Sequence, residues 1–125
     1  MSGSPLFMMP GAPLPDVPSP FAVLMDADDS DWADAALLRS TGRALLGAGC
    51  RYFVCAGRAA ERLHDALDDV IVEDGYAGVP TTYHDSEGAE DVADFFRAVA
   101  TVGMKGALVV VRNTHGWESH LTPWT

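Results

Sequence analysis

Short apolar runs alternate along this chain with longer amphipathic stretches. Phe21-Ala22-Val23-Leu24-Met25 is continuous and apolar, and it ends in Asp26. Such a run reads as a strand buried on both faces, the habit of parallel sheets. Tyr52-Phe53-Val54-Cys55-Ala56 is a second run, aromatic and β-branched. Thr81-Thr82-Tyr83-His84 is a third. Ala107-Leu108-Val109-Val110-Val111 is the most apolar and is expected at the centre of the sheet.

Between these runs the period lengthens. The spacing predicts a helix from near Asp31 to about Leu46, with Trp32, Ala35, Ala36, Leu38, Leu45 and Leu46 inward. Asp31 and Asp34 load its first turn, where the helix dipole favours negative charge. A second helix is predicted from Arg58 to about Leu67, with Ala59, Leu63, Ala66 and Leu67 inside. Val70-Ile71-Val72 either extends it or forms a short strand, because so few residues carry no period. Asp74 to Pro80 is loop. A third helix runs from about Glu87 to Ala100, with Val92, Phe95, Phe96 and Val99 at i, i+3, i+4 and i+7.

This alternation predicts a three-layer α/β domain: a mostly parallel sheet of four to five strands, with helices on both faces and right-handed crossovers. Residues 21–125 are read as that single domain. Residues 1–20 carry Pro5, Pro10, Pro13, Pro15, Pro18 and Pro20. Each proline fixes φ and removes a donor, so this segment is expected outside the domain, as an extended arm or a disordered tail. Its Leu6, Phe7, Met8 and Met9 are suited to docking on the domain or a partner. The tail after Val111 has no clear period, and its Trp117, Leu121 and Trp124 are expected to pack back as a lid or an added edge strand.

Charge changes the picture more than size does. Asp and Glu total 18 against 8 Lys and Arg, a formal charge of −10. That field repels phosphate backbones and anionic membrane surfaces, so neither nucleic acid nor membrane is expected as a partner. A basic protein partner, a divalent cation and a homodimer stay open. The N-terminus has no basic segment followed by an apolar core, and no apolar run approaches the ~20 residues that span a bilayer. The chain is therefore read as cytoplasmic. Cys50 and Cys55 lie roughly 16 Å apart if the segment between them is extended, too far for a disulfide. They are read as buried, reduced thiols.

Candidate chemistry follows from topology. In open α/β sheets, ligands bind beyond the carboxyl ends of the strands. Asp26 and Asp28 after the first strand are candidate ligands for a divalent metal, which prefers carboxylate oxygen. His84 ends a strand expected to be internal or next to the central one, and is a candidate general base or metal ligand, with Asp26 or Asp85 to orient it. Thr82, Arg58 and Arg112 are candidate ligand-binding residues, Arg58 because Gly57-Arg58 opens a helix whose free N–H groups attract anions. Neither GxGxxG, GxxxxGK[ST] nor GxSxG occurs.

The stretch Val79-Pro80-Thr81-Thr82-Tyr83-His84-Asp85, followed by an acidic helix with Phe95-Phe96, resembles a small bacterial family. That family is marked by a Thr-Thr-Trp-His segment after a glycine-containing loop; Tyr83 stands here in place of its Trp. The similar part spans roughly Phe21 to Asn113. The resemblance implies a short α/β domain and draws attention to His84, and it carries no activity. Ala22-Val23-Leu24-Met25-Asp26-Ala27-Asp28 is similar to the first strand of NYN-type nucleases, whose later acidic residues have no counterpart here. Two functions are left in view. One is an acidic binding or regulatory module facing a basic protein; the other is a small metal-dependent hydrolase using Asp26, Asp28 and His84.

Overall fold

In the computed structural model, which describes residues 4–124, the four expected strands lie side by side and a fifth joins them from the proline-rich arm. The elements in chain order are β1 (Leu6–Met8), β2 (Phe21–Asp26), α1 (Ala35–Ala48), β3 (Cys50–Ala56), α2 (Ala60–Glu73), β4 (Thr81–His84), α3 (Ala89–Thr101), β5 (Gly106–Val110) and α4 (Thr114–His120). The sheet order is β1-β5-β2-β3-β4, and every pairing is parallel. The fold is a three-layer α/β domain.

The alternation of a parallel strand decides the layers. Phe21, Val23 and Met25 of β2 join Leu45, Leu63 and Leu67 under α1 and α2. Ala22 and Leu24 point the other way, toward Val92, Phe96 and Trp117 on α3 and α4. Helices α1 and α2 move the chain from β2 to β3 to β4 in one direction, and α3 then carries it back to β5 on the far side of β2. At a constant crossover hand, that reversal puts α3 on the face opposite α1 and α2. The strand order therefore switches between β2 and β5.

Local chemistry sets the helix ends. The first predicted helix is split: Ser30–Ala33 forms a 3-10 turn, Asp34 is extended, and its carboxylate accepts from Leu37 N at 3.1 Å to start α1 at Ala35. The ambiguous Val70-Ile71-Val72 belongs to α2, because Val70 and Ile71 continue the buried stripe of Leu63 and Leu67 while Val72 faces out.

Four expectations are corrected. The arm is not outside the domain: β1 pairs with β5, Met8 and Val17 are buried, and Val111 N donates to Met8 O at 3.0 Å. The fit is close enough that a Cβ on Gly106 would stand 2.7 Å from Pro18 O. The prolines do not prevent pairing; Pro5 and Pro10 bound the short strand and blunt its outer edge. The middle place belongs to β2, with β5 beside it, since β1 takes the outer side of β5. The edge of β5 thus being occupied, the C-terminal tail adds no strand and forms α4, which lays Trp117, Leu121 and Trp124 over Val109 and Val111. Finally, β4 is an edge strand, so His84 does not end an internal one.

No helix among the described residues is long and apolar enough to cross a membrane. Because Met8 and Val17 complete the core, Met8→Ala should cost about 2–3 kcal/mol, and removal of residues 1–17 should cost more. Urea denaturation checks this; an unchanged midpoint in the truncated chain would mean the arm is only laid on the surface.

Candidate functional site

The switch between β2 and β5 is where a sheet of this kind opens a crevice. Here the loop after β2 closes it with its own carboxylates. Asp26 Oδ1 accepts from Asp28 N at 3.0 Å, and Oδ2 accepts from Trp117 Nε1 at 3.2 Å. The Asp26 carbonyl takes a third donor, Trp32 Nε1, at 3.1 Å. Asp29 Oδ2 accepts from Arg112 N at 2.9 Å. Arg112 Nε and Nη2 grip Asp31 Oδ2 and Oδ1 at 3.0 and 2.6 Å, a forked charge-assisted pair. These groups titrate accordingly. Burial holds the Asp29 carboxyl above the ordinary value, whereas the Arg112 hydrogen bond holds Asp31 below it.

Asp28 turns toward the next crossover. Its Oδ1 accepts from Ala59 N at 3.3 Å, just before α2. Gly57 makes room for it: with φ at +105°, a Cβ there would meet the Asp28 carboxylate at 2.6 Å. Gly57 N itself donates to His84 O and Ala60 N to Gly57 O. The N–H groups proposed to bind an anion at Gly57-Arg58 are thus largely committed within the chain. Arg58 is exposed and lies in the turn before α2, which starts at Ala60.

His84 sits in a row with Asp26 and Ala56, one residue from each of three adjacent strands at the same level. At about 5 Å per strand, Asp26 and His84 are ~10 Å apart across Ala56. His84 is only 8% exposed. Its Nδ1 lies 2.8 Å from Glu87 Oε1 and its Nε2 lies 3.0 Å from Thr82 Oγ1. A carboxylate at Nδ1 favours the proton there, which leaves Nε2 to accept from the Thr82 hydroxyl. The Phe95 ring covers the imidazole at 4.7 Å between centroids.

The predicted residues thus fall into two groups. Thr82 and His84 are in contact, and Glu87 orients the imidazole in place of Asp26 or Asp85. Asp26 and Asp28 share with Glu87 and Trp117 a cavity of about 200 Å³, floored by Ala56 and Gly57. Arg112 stands three strands from His84 and is held by Asp31. Among the described residues, no group of three or more His, Cys, Asp or Glu is arranged to hold a metal ion, so Asp26 and Asp28 find no third ligand. Cys50 and Cys55 are free and buried; burial pushes Cys50 up to about 12 and Cys55 in the same direction, which makes both poor nucleophiles. Neither Glu87 nor Trp117 is among the site residues expected from the sequence, where Trp117 reads only as packing and Glu87 as a helix start. The signal for Glu87 is its i+3 spacing from His84, which also reads as an acid at a helix start.

His84 ties β4 to the segment before α3 through Nδ1 and Glu87, while Nε2 holds Thr82 within β4 itself. His84→Ala should therefore destabilise the domain by about 1–3 kcal/mol, by removing a buried ring together with its two hydrogen bonds. Thermal and urea unfolding measure this, and an unchanged stability would show that the imidazole is not a structural pin.

Neither the curated proteins nor the solved structures offer a match to this chain. One family does: residues 5–121 match a domain of unknown function, DUF7684. The match takes in β1 as well as the β2–α4 body. The chain belongs to the DUF7684 family.

Proposed function

We propose that this domain is an acidic binding module that engages a basic protein partner. The observation that carries the reading is where the cations sit. Arg39 and Arg43 pair with Glu73 and Asp74 along the seam of α1 and α2, Arg97 pairs with Asp94, and Arg112 with Asp31. Among the described residues, Asp65, Asp68, Asp85, Glu87, Glu90 and Asp91 have no arginine or lysine partner. They lie on α2, at the β4–α3 junction and in the first turn of α3. Acids left unneutralised in this way speed encounter with a basic surface and reject acidic ones. It is also salt-sensitive, because exposed charges are screened within ~8 Å at physiological ionic strength.

Affinity capture from a native lysate tests this. Captured proteins should be basic at the contacting surface, lost at high salt, and lost from a Glu90→Lys, Asp91→Lys variant. Capture that ignores both salt and charge reversal would overturn it.

A second reading, hydrolysis, has one observation in its favour. The order Thr82 hydroxyl, imidazole Nε2, Nδ1 and carboxylate is the order that activates a hydroxyl nucleophile. A fluorophosphonate probe should then label the wild-type chain at Thr82 and not the Thr82→Val variant. Failure to label the folded wild type counts against a nucleophilic Thr82.

A further inference from the structure

The two edges of the sheet are finished differently. The β1 edge is three residues long and lies between Pro5 and Pro10. The β4 edge, Thr81–His84, has a proline at one end only, Pro80, and no lysine or bulge within it, and Tyr83 on it is 42% exposed. Natural sheets usually blunt such an edge, because its free N–H and C=O groups are a template for another strand.

Register shows which groups are free. Phe53 N donates to Pro80 O at 3.0 Å, and Gly57 N donates to His84 O at 3.2 Å. Backbone groups in a parallel ladder alternate in direction. Pro80, Thr82 and His84 therefore turn toward β3, while Thr81 and Tyr83 turn their N–H and C=O groups outward.

Both faces beside this edge are acidic. On the α2 face, the Tyr83 ring meets His64 at 5.0 Å, and His64 contacts Asp65 and Asp68 at 3.0 and 3.4 Å. On the α3 face, His84 holds Glu87. None of the three carboxylates has an arginine or lysine partner among the described residues. A second copy of this chain would bring the same charges against them, and like charges across an interface oppose docking.

From the free edge and the charge on its flanks, we propose that β4 accepts an extended segment of a basic protein as an added strand. This rests on the binding-module reading above and names its mode. Successive side chains of a strand point to opposite faces. A segment lying on β4 therefore presents one side chain to Asp65, Asp68 and the Tyr83 ring, and its neighbour to Glu87. The ligand class is an extended segment with two adjacent basic residues. Backbone hydrogen bonds to Thr81 and Tyr83 supply affinity, and the charged pair supplies selectivity. The Tyr83 ring adds a cation–π face.

The test uses the full chain and a short Thr/Val peptide with a central Lys-Arg pair. Binding is measured by calorimetry, and the Thr81 and Tyr83 amides are followed by NMR. Peptide should protect both amides from exchange. Replacing Lys-Arg by Ala-Ala, or making Asp65→Lys with Asp68→Lys, should weaken binding at least tenfold, about 1.4 kcal/mol. N-methylation of alternate peptide amides should abolish it. Tyr83→Pro removes one outward N–H and leaves the inward ladder intact, so it should lower affinity without unfolding the chain; the methylated peptide gives the same answer with no change to the protein. Binding indifferent to N-methylation overturns strand addition while leaving the basic-partner reading standing. No binding of the dibasic peptide overturns the proposal, and so does a dimer of the chain that Tyr83→Pro dissociates.

Discussion

Strand β2 has no side open to water. Phe21 through Met25 are all fully buried, with β5 and β3 on its two edges and a helical layer on each face. A strand so placed must satisfy all its backbone groups within the sheet and can carry no polar side chain until it ends. Asp26 is the first residue where that constraint relaxes. The polar chemistry of the domain is therefore concentrated just beyond β2, where the direction of strand addition also reverses. A carboxylate at that point has many donors within reach, and the chain supplies them: the indoles of Trp32 and Trp117, the amide of Asp28, and, for Asp29 and Asp31, Arg112.

That use of the loop alters the usual relation between fold and site. In many open α/β sheets the crevice at the reversal is left for a ligand. Here α4 folds back across it, and the carboxylates that would meet a cation hold the helices in place. The residues still available to a partner are displaced to the other end of the strand order. There β4 leaves one edge unpaired, and the acids around it are not neutralised. The same sequence can therefore be strongly acidic and yet have few acids free near its central crevice.

The layers were legible because buried parallel strands read as continuous apolar runs, and Phe21–Met25 and Ala107–Val111 are unambiguous in that respect. The amphipathic spacing of Val92, Phe96 and Val99 was equally plain. What escaped was decided by partners distant in sequence. Leu6–Met8 is too short to show any period, and it becomes a strand only because β5 offers an edge. Trp117 looked like lid or strand material, and it became helical because that edge was already taken. The carboxyl-end rule correctly placed His84 and Asp26 at one level of the sheet. It did not show that Glu87, three residues along, would hold the imidazole, nor that Arg58 and Arg112 would stand apart from it. Spacing along one strand reveals neighbours; it does not reveal which of several nearby carboxylates reaches a ring nitrogen.

Acidity at the β4 edge also bears on why an unblunted edge is tolerable. Lysine and proline are the common protections, and both act by making strand addition unfavourable for any comer. Carboxylates on the two flanks act selectively instead. They oppose a second copy of this chain and any acidic or neutral segment that must desolvate them, yet they favour a segment that brings cations to both faces. An edge protected in this way is closed to self-association and remains open to one class of partner. The position of the charge, Asp65 and Asp68 around His64 on the α2 face and Glu87 on the α3 face, matters more for that selectivity than the net value of −10. Moving the same acids to the seam of α1 and α2, where Arg39 and Arg43 already neutralise Glu73 and Asp74, would keep the net charge and lose the discrimination.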